Sequence, residues 1–102
     1  MKKIVPDILA TVHFYKTEEG GRKGPTPMEF FACPFVFQGK LYDCRLLLWD
    51  HGSIFPGDTV KGVPIKFIFP DVLSKIKEKD KFNLWEGGIK AEGIIEKIIE
   101  KS

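Results

Sequence analysis

Few residues in this chain are able to form a histidine-activated nucleophile: His13 or His51 with Cys33, Cys44 or one of a few hydroxyls. Nucleophilic catalysis needs one of the histidines beside a thiol or hydroxyl, and no spacing selects such a pair. The two cysteines lie eleven positions apart, with no C-x-x-C and no H-x-x-x-H anywhere, so no metal site is expected. Acidic neighbours such as Glu18/Glu19 and Glu78/Asp80 read as solvated surface, because acid–base pairing is decided in space and not by adjacency. Gly52-Ser53-Ile54-Phe55-Pro56-Gly57-Asp58-Thr59 has the spacing of a phosphate-binding loop. Asp58, however, occupies the place of the lysine that must reach the phosphates, and its charge repels them. No G-x-G-x-x-G occurs. The expectation is a protein that is not an enzyme and uses no cofactor and no nucleotide.

The charge balance narrows the partners. Sixteen Lys+Arg against fourteen Asp+Glu give a net charge of +2. Residues 1–50 carry seven basic and six acidic side chains, and residues 51–102 carry nine and eight. A protein held to nucleic acid mainly by phosphate contacts needs a far stronger bias. The 102 residues amount to one domain, long enough to bury a core without disulfides. Met1-Lys2-Lys3 is basic, but Pro6 and Asp7 interrupt any apolar run behind it, so no signal peptide is read. No apolar stretch approaches the ~20 residues of a membrane helix. The expected address is the cytoplasm, away from membranes, with both thiols reduced.

The elements that must position any site are short strands. Seven prolines and ten glycines divide the chain as turns divide an all-β domain. Ile8–Tyr15 alternates, with Ile8, Ala10, Val12 and Phe14 on one face and Thr11, His13 and Tyr15 on the other. A long loop follows through Gly20, Gly21, Gly24, Pro25 and Pro27. Phe30–Phe37 is apolar on both faces, and so is either sandwiched or borders a partner. Gln38-Gly39-Lys40 turns into a strand over Leu41–Trp49. Pro56-Gly57-Asp58 closes the next loop before a strand over Val63–Phe69. Asp71–Lys79 has the pattern of a short helix with Asp71 as N-cap. Phe82–Trp85 and Ile89–Ile99 form the last hairpin around Glu86-Gly87-Gly88. The isoleucines near the end also fit a helix, but the density of β-branched residues favours strand.

Three segments, in order, carry a family resemblance. Ala10–Lys23 leads a strand into Lys16-Thr17-Glu18-Glu19-Gly20-Gly21-Arg22, followed by Pro25 and Pro27. Pro56-Gly57-Asp58-Thr59-Val60 precedes an apolar strand that ends at Pro70. Phe82-Asn83-Leu84-Trp85-Glu86-Gly87-Gly88 is followed by Gly93-Ile94-Ile95. Together they resemble the third, C-terminal β-barrel domain of translation elongation factor Tu, over about residues 8–99 of a single domain. The resemblance implies an all-β fold, a single antiparallel barrel with at most one short helix. It also implies a surface that meets tRNA, an exchange factor or neighbouring domains. The nucleotide-binding domain of that factor has no counterpart here, so no GTPase activity is implied. The family's R-E-G-G-R loop reads Trp85-Glu86-Gly87-Gly88-Ile89, with both arginines replaced, which removes charge-assisted phosphate contacts.

From these readings the chain is expected to be a stand-alone, non-catalytic binding module. It would engage a protein partner or a second copy of itself through surplus aromatic residues: Phe30, Phe35, Phe37, Trp49, Phe69 and Trp85. The alternative is a tRNA- or RNA-binding module, with Arg22, Lys23 and Lys90 on phosphates and Trp85 stacking on a base. In either case the site is expected at Arg22, Lys23, Trp85, Glu86, Gly87, Gly88 and Lys90.

Overall fold

The computed structural model describes residues 4–99; the basic opening Met1-Lys2-Lys3 lies outside the described residues. Six strands follow in chain order: β1 (Ile8–Phe14), β2 (Phe30–Phe37), β3 (Lys40–Leu47), β4 (Thr59–Phe67), β5 (Lys81–Trp85) and β6 (Ile89–Ile98). Every pairing is antiparallel, and the order β1-β4-β3-β2-β5-β6 closes on itself as a barrel. The expected all-β barrel is therefore the observed fold. Closure removes the exposed sheet edges that invite aggregation.

Alternation sorts the faces. In β1, Ile8, Ala10, Val12 and Phe14 are buried, and the residues between them are half-buried. β2 turns Phe31, Cys33, Phe35 and Phe37 inward and leaves the apolar Phe30, Ala32, Pro34 and Val36 on its outer side. The odd residues fill the barrel, and Phe30 is left outside. The Phe35 ring stacks on Phe82 at 4.3 Å and stands edge-on to Phe67 at 4.8 Å, both favourable geometries. β1 shifts register between Ala10 and Val12 against β4, and between Leu9 and Ala10 against β6. Such irregularities bend a strand and help a small sheet to close.

Several boundaries differ from the sequence reading. The strand expected at Val63–Phe69 runs from Thr59 to Phe67, because pairing with β1 recruits Thr59 and Val60 opposite His13 and Val12. The strand expected over Leu41–Trp49 ends at Leu47. The helix expected at 71–79 is a 3-10 turn over Pro70–Ser74, in which Pro70 takes the first position and Phe69 the cap, with no side chain capping it. A second 3-10 turn covers Thr17–Glu19, and no α-helix occurs among the described residues. None of the described helices is long and apolar enough to cross a membrane.

Asp7 ties three strand ends together. Its amide donates to Ile65 O at 2.8 Å, and its carbonyl accepts from the Ile99 amide at 2.9 Å. Its buried carboxylate accepts from the Phe67 amide at 2.8 Å and lies 3.5 Å from Lys66 Nζ.

Cys33 and Cys44 sit directly opposite each other on β2 and β3, both buried and both free. The Cys44 thiol donates to Cys33 O at 3.2 Å. Hydrogen bonding with Cys33, followed by burial, pushes the Cys44 thiol well above its ordinary range. Since both thiols are buried away from reagent, the folded protein is expected to release little chromophore from an aromatic disulfide reagent at neutral pH. Both thiols should react once denaturant is added. Rapid labelling of the native protein would contradict this burial.

Candidate functional site

Two loops meet at one end of the barrel and gather the residues expected to form the site. The β5–β6 turn has Gly87 at φ 67° and Gly88 at φ 147°, conformations that a side chain rarely tolerates. The Glu86 amide donates across it to Gly88 O at 2.8 Å. The loop after β1 lies alongside. Its Gly21 passes so close to the Tyr15 carbonyl that a Cβ would stand 2.0 Å from that oxygen. This approach delivers Arg22 to Glu86, with Nε 2.8 Å from Oε1. Arg22, Lys23, Glu86 and Lys90 line one shallow depression together with Gly21 and Gly24.

The cations there are engaged within the protein. Besides Glu86, the Arg22 guanidinium donates to Gly24 O and Pro25 O and lies over the Phe31 ring, 4.9 Å from its centroid. Lys90 Nζ donates to Gly20 O at 3.1 Å. Both side chains pin the long loop to the hairpin, while Lys23 remains exposed. Trp85 is 39% exposed, on the outer face beside its cross-strand neighbour Ile89. Arg22→Ala is expected to cost about 1–2 kcal/mol, mostly from the cation–π contact and the lost carbonyl partners, since the half-exposed ion pair is screened. Glu86→Gln should cost less than about 0.5 kcal/mol by the same reasoning. Urea titration of the two variants checks the ranking, and equal losses would contradict it.

A groove runs over the outside of the barrel from β4 and β1 to β6 and β5, where Thr11, His13, Thr59, Lys81, Asn83 and Glu92 line it together with Phe82, Gly93 and Ile94. Here the fold makes the pairing that sequence spacing could not select, joining His13 Nδ1 to Thr59 Oγ1 at 2.8 Å. Tyr15 stands edge-on to His13 and donates its hydroxyl to Glu92 Oε1 at 3.1 Å. Burial, then the bond to Glu92, raises the Tyr15 phenol above its ordinary value. A hydrolytic triad requires an acid on the far nitrogen of the imidazole, and none of the hydrogen bonds among the described residues supplies one. The cysteines point into the barrel and the histidines lie outside it. No three His, Cys, Asp or Glu among the described residues converge as a metal site.

The segment that imitates a phosphate loop is spent on the fold. The Ile54 amide donates to Thr26 Oγ1, the Phe55 amide to Asp58 Oδ2, and the Gly57 amide to Phe14 O. Asp58 thus acts as a turn residue, and these amides are not turned toward an anion.

The third feature is apolar and lay outside the expected site. On β3, Cys44 and Leu46 point inward, so Arg45 and Leu47 point out. Leu47 is nonetheless only 5% exposed, although it lies outside the contiguous cluster that fills the barrel. It forms the floor of a groove of about 350 Å³, with Ile4, Phe30, Ile68, Arg45 and Lys66 around it. Phe30 lies directly across from Leu47 on β2 and is 46% exposed. Trp49 extends the surface, its ring 6.2 Å from that of Phe30. Met28, Ile68 and Phe69 are exposed as well. Of the six aromatic residues expected to be surplus, Phe35 and Phe37 prove to be core, and Phe30, Trp49, Phe69 and Trp85 are exposed. The signal for Leu47 was present in Leu46-Leu47-Leu48: in an alternating strand the middle leucine must face away from its neighbours.

The described residues thus define a small closed antiparallel barrel with an apolar groove on its outer face over β2, β3 and the end of β4. Neither the protein-family models nor the curated proteins compared with this chain give a match.

Proposed function

We propose that this protein is a non-catalytic β-barrel binding module that docks onto a protein partner through the outer face of β2, β3 and the end of β4. The observation that carries this reading is the exposed apolar surface of Phe30, Trp49 and Ile68 beside Leu47, an outward-pointing residue that lies outside the cluster filling the barrel. A closed barrel gains nothing for its own interior from Phe30, Leu47, Trp49 and Ile68 on the outside. Contiguous exposed apolar surface rimmed by polar groups is the usual mark of an interaction site. The resemblance to the third domain of elongation factor Tu points the same way, since that barrel lies against other domains and an exchange factor. The RNA-binding reading has less support, because Arg22 and Lys90 spend their charge on Glu86 and loop carbonyls.

The test compares affinity capture by the wild-type protein and by a Phe30→Asp/Ile68→Asp variant, each verified as folded by circular dichroism. One protein should be retained by the wild type and lost by the variant, and should then bind the wild type again as purified components. Indistinguishable captured sets would defeat the proposal. Salt-dependent tRNA binding lost on Lys23→Ala would favour the RNA reading instead.

A further inference from the structure

The charges around the apolar groove indicate what kind of partner fits it. Arg45 on β3 stands directly opposite Lys66 on β4, an arrangement of like charges that is unfavourable on its own. Among the described residues one carboxylate, that of Asp7, is ion-paired with either cation. Asp7 lies 3.5 Å from Lys66 Nζ, with its other oxygen on the Phe67 amide. The half-buried Arg45 guanidinium donates to Cys44 O at 3.0 Å, and no carboxylate among the described residues lies within ion-pair distance of it. A half-desolvated guanidinium at the rim of an apolar groove is a strong, directional binder of carboxylates.

We infer that the groove receives an acidic, apolar-anchored segment of a partner protein, with an apolar side chain over Leu47 between Ile4, Phe30 and Ile68 and a carboxylate on Arg45. The inference rests on the docking surface proposed above and names the chemistry of its occupant. Burial of the apolar anchor supplies the affinity. The carboxylate relieves the Arg45–Lys66 repulsion and selects against basic segments, which is how charge complementarity acts across interfaces. A second copy of this chain fits less well, since apposing two such faces brings both Arg45–Lys66 pairs together.

The probe is a random-peptide display library, selected on the immobilised wild-type protein. Enriched peptides are then synthesised and measured by fluorescence anisotropy against wild type, Arg45→Glu, Arg45→Gln and Phe30→Asp, each checked by circular dichroism. Light scattering of the free protein is recorded alongside. The expected result is a monomer that enriches peptides combining apolar residues with Asp or Glu. Binding should fall about tenfold with Arg45→Gln, further with Arg45→Glu, and be lost with Phe30→Asp. Neutral or basic peptides that need Phe30 but ignore Arg45 would overturn this inference and leave the docking surface standing. A dimer dispersed by Phe30→Asp would do the same, with a second copy as the occupant. Failure to enrich any peptide sensitive to Phe30, in a monomeric protein, would overturn both.

Discussion

Truncation of Phe35 to alanine is expected to remove about 3–5 kcal/mol of folding stability, the range for deleting a buried aromatic ring. The ring is fully buried, stacked on Phe82 and edge-on to Phe67, so three aromatic side chains lose contact at once. Phe35 also supports the narrowest seam of the barrel, where β2 meets β5 only through Phe35–Leu84 and Val36–Asn83. A domain of this size has roughly 5–15 kcal/mol in all, so the variant should be marginal at 37 °C. Urea unfolding gives the value directly. A loss below about 1 kcal/mol would mean that the neighbouring rings collapse into the space, contrary to the partial relaxation normally seen in close-packed cores.

Gly93→Ala is the second large effect, and it arises from too much volume. Gly93 sits in β6 at an inward position, opposite Phe82 on β5. A Cβ added there would lie 2.3 Å from the tip of the Phe82 ring, with both adjacent ring atoms within 2.8 Å. The ring has no room to retreat, being stacked on Phe35 at 4.3 Å. Overpacking of this kind typically costs about 1–3 kcal/mol, occasionally more, and the rigid neighbours place Gly93→Ala at or above ~3 kcal/mol. The diagnostic measurement is the double variant Gly93→Ala/Phe82→Leu. Leucine vacates the ring edge, so the pair should be clearly more stable than the sum of the two single changes. Strict additivity would show that the clash is relieved elsewhere.

These two positions also mark where sequence reading succeeds and where it stops. The alternation of Ile8, Ala10, Val12 and Phe14 was sufficient to assign β1 and its buried face, because a pleat offers only two sides. Turn chemistry at Gln38-Gly39, Pro56-Gly57-Asp58 and Gly87-Gly88 likewise placed the reversals, since few residues tolerate those backbone angles. Strand ends were less legible. Thr59 joins β4 because β1 lies beside it, and no property of threonine and its neighbours announces that pairing. The cap expected at Asp71 failed for a local reason: Pro70 takes the first position of a tight 3-10 turn and Phe69 the cap.

The expected site divides in the same way. Arg22, Lys23, Glu86 and Lys90 line one depression, but the ion pair and the carbonyl contacts turn Arg22 and Lys90 toward the protein's own loops. Residue types told which side chains carry charge and not which charges would be left over. Arg45 is the counterexample. Its residue type does not announce its neighbour, and only the registry of β3 against β4 sets it beside Lys66 at the edge of an apolar groove.

What the sequence determined by itself was the fold class, the inward face of most strands and the location of the turns, all of which follow from periodicity and backbone sterics within a few residues. What the tertiary structure decided was which apolar residues are surplus. Phe30 and Phe35 are indistinguishable by type and lie on one strand, yet their odd–even offset puts one in the barrel and the other outside. An outward residue such as Leu47 comes to share a groove with Ile4 and Ile68, which are remote from it in the chain. Burial is a property of the whole closed sheet, and the same holds for the net charge left at its surface.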